Sequence, residues 1–252
     1  MIRTAQRPGV GLDGRPRPTE DRIVVLDHAV AVLDGATSAD PDQPSGGWYA
    51  ERLASRLARD LGTRDGGDLR DVLRTAITGV AREHGLRPGA SPSSTVAMLR
   101  WNAERVDALV LADSPIVAFG QSVDVLADDR LVTLRRAGRL RTQQAVRALR
   151  NQPGGFWVAE ADPDAAAHAL VRSWPRAALD AVLLASDGVS CGVDDYGLFT
   201  WPETLRLART RGVDAVLDTV RAAEDGDPDR IRWPRAKRHD DQALALVEFR
   251  RP

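Results

Sequence analysis

Acidic residues recur where apolar runs end or begin. Val32-Leu33 runs into Asp34-Gly35, Leu109-Val110-Leu111-Ala112 into Asp113-Ser114, and Leu184-Ala185-Ser186 into Asp187-Gly188. Glu20-Asp21 stands just before the run at Ile23, and His239-Asp240-Asp241 just before the last apolar run. A single Asp-Gly after a strand is an ordinary turn. Together, at the rigid ends of strands, such residues can hold carboxylates at fixed separations. Converging carboxylates repel one another, and hard divalent cations offset that repulsion best. Oxygen-only donors suit Mg²⁺ or Mn²⁺ rather than Zn²⁺. Two such ions close together can ionise a shared water for in-line attack on phosphorus.

The elements that must position these carboxylates follow from the apolar spacing. Ile23-Val24-Val25-Leu26 and Ala29-Val30-Ala31-Val32-Leu33, split by Asp27-His28, read as a hairpin. Residues 39–47 are loop-like. Trp48, Leu53, Leu57 and Leu61 share one helical face, and Leu69, Val72, Leu73, Ala76, Ile77 and Val80 share another. Short runs at 94–101, 106–112, 116–119, 123–126 and 131–134 read as an antiparallel meander. Helices are expected at 140–150, 164–173, 202–211 and 213–224, and strands at 181–185 and 243–249. Segregated helices and antiparallel strands argue an α+β fold.

Composition narrows the function. The 252 residues carry 35 basic and 36 acidic side chains, a formal charge of -1 that gives no support to a nucleic-acid binder. One Cys excludes an internal disulfide and a Cys-based zinc cluster. Cys191 itself reads as a small buried filler. No apolar run approaches a membrane span, and Met1 to Gly14 holds no apolar signal core, so a cytoplasmic protein with no membrane partner is expected. Gly9-Val10-Gly11 lies outside any βαβ pattern and reads as a flexible lead-in. Lys237 is the only lysine; every other basic side chain is Arg.

The order of motifs resembles the metal-dependent Ser/Thr protein phosphatases of type 2C (the PPM family), in their compact bacterial form. The resemblance runs from Glu20 to Phe249. It rests on Thr19-Glu20-Asp21-Arg22, Val32-Leu33-Asp34-Gly35, Ser93-Ser94-Thr95-Val96-Ala97 and Leu111-Ala112-Asp113-Ser114. It continues in Leu184-Ala185-Ser186-Asp187-Gly188-Val189 and Asp240-Asp241-Gln242-Ala243. It implies a four-layer α-β-β-α sandwich, two antiparallel sheets flanked by helices, with residues 1–252 forming one catalytic domain. It also implies hydrolysis of phosphoserine and phosphothreonine in phosphoprotein substrates by a hydroxide bridging two Mn²⁺ or Mg²⁺ ions.

Carried over by residue, the resemblance makes Asp34 the bridging carboxylate and Gly35 a carbonyl ligand. Glu20 would hold the same ion, and Asp187 and Asp240 the other. Asp21 would orient metal-bound water, and Asp113 with Asp187 would hold a third, weaker ion. A phosphate-binding Arg is expected shortly before the Glu-Asp pair, where Arg15 and Arg17 both lie. Register favours Asp240 as ligand, and a one-residue slip would exchange it for Asp241. The region 136–165 falls where the family carries a variable flap.

Some positions depart from the family. The Gly pair usual two residues after Asp-Gly is replaced by Ala36-Thr37-Ser38, and Gly46-Gly47 comes later. Ala36 stands where some members carry His, and Gln242-Ala243 replaces an apolar-Thr/Ser pair. His239 reads as a local structural residue. A haloacid-dehalogenase reading fails because Val32 and Ala185 occupy the places of its second Asp. The alternative from another class is a catalytically silent relative that binds a phosphoprotein or regulatory partner.

Overall fold

The computed structural model describes residues 1–36, 44–63 and 67–249. Thr37, Ser38 and most of the expected loop at 39–47 lie outside the described residues.

The chain opens with β1 (Ile2–Arg7), β2 (Arg22–Leu26) and β3 (Ala29–Leu33), followed by α1 (Gly46–Thr63) and α2 (Leu69–His84). β4 (Val96–Trp101), β5 (Arg105–Leu111), β6 (Ile116–Gly120) and β7 (Val123–Leu126) follow, not as the single meander expected: β4 pairs with β5 in one sheet and β6 with β7 in the other, before α3 (Arg130–Arg136) and α4 (Gln143–Leu149). Then come β8 (Leu170–Pro175), β9 (Leu179–Ala185), α5 (Asp187–Asp194), α6 (Trp201–Arg211), α7 (Asp214–Asp225) and β10 (Gln242–Glu248). The strands form two five-stranded antiparallel sheets, ordered β1-β10-β9-β6-β7 and β2-β3-β4-β5-β8.

Alternation along the strands builds the layers. In β3, Val30 and Val32 face the other sheet, where they meet Val182 and Leu184 of β9 and Ala243 and Ala245 of β10. Ala31 and Leu33 face the opposite way, onto Tyr49, Leu53 and Leu57 of α1 and Leu73 and Ile77 of α2. Leu183 of β9 and Leu244 and Leu246 of β10 pack outward against Leu205 of α6 and Leu217 of α7. The central strands are therefore apolar on both faces, which explains their near-continuous apolar runs. Each fully buried Val or Leu contributes about 1.5–3 kcal/mol, so the two sheets make a stiff platform. A smaller cluster joins Leu131 and Leu134 of α3 to Phe156 and Val158 at one end of the sandwich. The expected four-layer α+β architecture is the one observed.

Three local expectations are corrected. Residues 131–134 are helical within α3, not a strand. Leu131 and Leu134 are both buried at i,i+3 spacing while Thr133 between them is exposed; four residues are too few to separate the two periods. Residues 164–173 are not one helix: a 3₁₀ segment, Pro163–His168, ends and β8 pairs with β5. β8 is an edge strand with most of its residues partly or fully exposed, so it lacks an apolar alternation to read. The lead-in at Gly9-Val10-Gly11 is also held in place, the Gly9 N–H donating to Asp241 Oδ1 at 2.7 Å and the Val10 N–H to the His239 carbonyl at 3.0 Å, and β1 before it pairs with β10 from Ile2↔Val247 to Arg7↔Gln242. Among the described residues no helix is long and apolar enough to cross a membrane.

Candidate metal and phosphate site

The acidic strand ends meet at one end of the sandwich. Asp34 follows β3 and is fixed through its backbone: its N–H donates to Thr95 Oγ1 at 3.1 Å, and Thr95 N–H donates to its carbonyl at 2.9 Å. Asp113 follows β5 after Ala112, which turns the chain at φ 69°. Asp187 opens α5, separated from β9 only by the N-cap residue Ser186. Asp240 precedes β10, its carbonyl accepting from Arg221 Nη2 of α7 at 3.0 Å. These four carboxylates and Gly35 line a single cavity of about 770 Å³.

Close backbone approaches set this geometry. A Cβ on Gly35 would lie 2.4 Å from the Gly46 carbonyl carbon, and one on Gly188 would lie 1.9 Å from the Asp241 oxygen. The departed glycine pair thus packs back on the site: Gly46 presses on Gly35 and Ala36, and Gly47 on Glu20.

The electrostatics are those of crowded anions. Burial first, then the charges of Asp21, Asp187 and Asp240, push the Asp34 carboxyl well above its ordinary range. Burial, Asp240 and Asp113 push Asp187 up to about 7, against a hydrogen bond from Asp34 and the charge of Arg135. Asp113 is raised too, chiefly by burial, although Arg135 Nη1 sits 3.2 Å from its Oδ2. Behind them, fully buried Asp21 accepts from Ser186 Oγ at 2.8 Å through Oδ2, while its Oδ1 has no partner. Burial dominates the upward shift of its carboxyl as well.

Other expected residues sit apart from the cavity wall. Glu20 is buried, with Arg17 Nη2 at 2.5 Å from Oε2 and the Gly47 N–H donating to Oε1 at 3.3 Å. Arg15 reaches into solvent beside Asp13. Asp241 turns inward, accepting from the N–H groups of Gly9 at 2.7 Å and Glu20 at 3.2 Å. Asp240 is thus the one of the pair that lines the cavity. His239 is held by Glu224 at 3.0 Å and Asp225 at 3.1 Å. Cys191, expected to be a buried filler, is half-buried and lines a neighbouring cavity, and its thiol is pushed up by desolvation.

The cavity also has a basic side that motif reading missed. Arg135, Arg141, Arg147 and Arg150 line it, together with Lys237. Their only sequence signal is the density of Arg across 135–150. Asn151 braces this segment, its side chain exchanging hydrogen bonds with the backbone of Val158 at 2.9 and 3.2 Å.

The donors fit hard divalent cations in type and charge: they are oxygen-only, half-buried at Asp34, Asp113, Asp187 and Asp240, and backed by an orphaned oxygen on buried Asp21. Among the described residues, no three His, Cys, Asp or Glu side chains already surround one point as a closed ligand set.

The fold is shared with solved bacterial phosphatases. Mycobacterium tuberculosis serine/threonine phosphatase PstP/Ppp superposes with TM-score 0.64 at 16% identity, covering 99% of this chain and 98% of that one. Staphylococcus aureus serine/threonine phosphatase Stp1 gives 0.63 at 15%, covering 99% and 96%. The catalytic domain of PstP in complex with two manganese ions gives 0.62 at 15%, covering 98% and 97%. No curated protein matches the chain. The family model for protein phosphatase 2C matches residues 18–221, which hold Glu20, Asp34, Asp113 and Asp187. The chain belongs to the protein phosphatase 2C family.

Proposed function

We propose that residues 1–252 act as one catalytic unit, a metal-dependent phosphatase that hydrolyses phosphoserine and phosphothreonine in proteins. The observation that carries this reading is the convergence of Asp34, Asp113, Asp187 and Asp240 on one cavity that Arg and Lys side chains also line. Asp34, Asp187 and Asp240, with Gly35 and Glu20, would hold two Mn²⁺ or Mg²⁺ ions, and Asp113 with Asp187 a third. When bound, such ions supply an ionised water and neutralise phosphoryl charge. A solved PstP catalytic domain carries two manganese ions, which favours Mn²⁺ here.

The chain's own residues do the rest. Asp34 and Asp187 line the same cavity, close enough for the charge of Asp187 to raise the Asp34 carboxyl. Asp21 stands behind them, aimed by Ser186, where its free oxygen can orient water. The cavity arginines present planar donors to phosphoryl oxygens and to acidic flanking residues. Arg15 and Arg17 are proposed in the same role at the approach to Glu20.

The test is hydrolysis of p-nitrophenyl phosphate and a phosphothreonine peptide with Mn²⁺, with Mg²⁺ and with chelator. Turnover should require metal and fall about a hundredfold or more in both Asp34→Asn and Asp187→Asn, since changes outside the ligand set already cost about 10–100-fold. Turnover that survives chelator, or both substitutions, would contradict the proposal. The ion pairs Lys237–Asp240 and Arg135–Asp113 favour a second reading, a silent module that binds phosphoproteins. A folded, Mn²⁺-saturated sample without turnover would support it.

A further inference from the structure

Lys237 is the only lysine in a chain whose other basic residues are all Arg. Its ammonium is not at the surface: the side chain is 10% exposed, and Nζ sits 2.6 Å from Oδ1 of Asp240. The same Oδ1 accepts the Asp241 N–H at 3.0 Å, so that oxygen is already engaged twice. The segment that delivers Lys237 is built rather than loose. Asp227 gathers the N–H groups of Ile231, Arg232 and Trp233 and the Arg235 guanidinium, so the chain reaches Lys237 from a fixed anchor.

We propose that Lys237 is an internal competitor for the metal site: its ammonium occupies Asp240 in the metal-free protein and weakens divalent-cation binding there. This rests on the metal reading above. A cation arriving at Asp240 must either displace the ammonium or bind beside a like charge, and both cost affinity. Lysine suits the role better than arginine. It is a compact point charge on a flexible stem, not a rigid fork that locks onto a carboxylate. A place to move to exists, since Lys237 lines both the main cavity and a neighbouring one of about 660 Å³ whose wall includes Asp195 and Glu224. The ammonium also offsets the charge of Asp240, whose side chain is 42% exposed, while no metal is present.

The test is Mn²⁺ titration calorimetry on the wild type, Lys237→Met and Lys237→Arg, each shown to be folded by thermal unfolding in chelator. Lys237→Met should bind Mn²⁺ roughly tenfold tighter than the wild type, and Lys237→Arg, which keeps the charge, should not. Equal or weaker binding by Lys237→Met, or equal tightening in both variants, would overturn the inference. Absence of Mn²⁺ binding in all three proteins would overturn the metal reading itself, and the inference with it. If Lys237→Met does not fold, wild-type protein labelled with ε-¹³C lysine serves instead. Its single side-chain signal should shift on Mg²⁺ addition as the ammonium leaves Asp240, and an unmoved signal under saturating Mg²⁺ would overturn the inference.

Discussion

At the scale of single residues, Ser186 connects the buried carboxylates to the sheet. Its Oγ donates to Asp21 Oδ2 at 2.8 Å and accepts the Ala243 N–H at 2.9 Å. Asp21 has no other side-chain partner at Oδ1. Ser186→Ala should therefore leave a buried carboxyl and a buried N–H both unpaired, at a cost of about 1–3 kcal/mol, read as a lower urea midpoint with an unchanged slope. An unchanged midpoint would mean that Asp21 is paired in some other way. Asp34, Asp113 and Asp187 were legible in the sequence because each lies within two residues of the end of an apolar strand, and the strand fixes where it goes. The choice of Asp240 over Asp241 rested on register alone; the structure separates the two by burying Asp241 against backbone N–H groups. Arg135, Arg150 and Lys237 were not legible as site residues. They come from short helices and a loop, and their meeting with the carboxylates is a product of tertiary packing.

At the scale of elements, the segment between α7 and β10 has its own anchor. Burial works to raise the Asp227 carboxyl, but the Arg235 guanidinium and three backbone N–H donors prevail and hold it at about 2, below its ordinary 3.8. A carboxyl depressed in the folded state binds fewer protons there than in the unfolded chain. Its contribution is thus fully present above about pH 4 and fades as pH falls toward 2. Asp227→Asn should be less stable than the wild type at pH 6, with the gap narrowing as pH drops from 4 to 2. Urea midpoints across that range check it, and a gap independent of pH would refute it. The same scale shows what sequence periodicity could not supply. α1, α2, α6 and α7 have long amphipathic faces and were placed within a few residues. β1 and β8 are edge strands, and their short or exposed patterns acquire meaning only from partners 60 or more residues away in the chain.

At the scale of the whole molecule, two sheets packed face to face bring strand ends from residues 34, 113, 187 and 240 into one cavity. The unfolded chain has no such site, so a cation held there is linked to global stability. Mn²⁺ at a hundredfold excess over its Kd should stabilise the protein by about 2.7 kcal/mol. Thermal unfolding should show a higher Tm with Mn²⁺, reversal by chelator, and a much smaller shift in Asp187→Asn. A Tm indifferent to Mn²⁺ would deny the linkage. The most direct test of the central claim is anomalous diffraction from crystals grown with Mn²⁺. Two strong anomalous peaks are expected in the cavity, with Asp34 between them and Asp187 and Asp240 on the second. Full-occupancy Mn²⁺ elsewhere on the molecule, with no peak among these carboxylates, would contradict it.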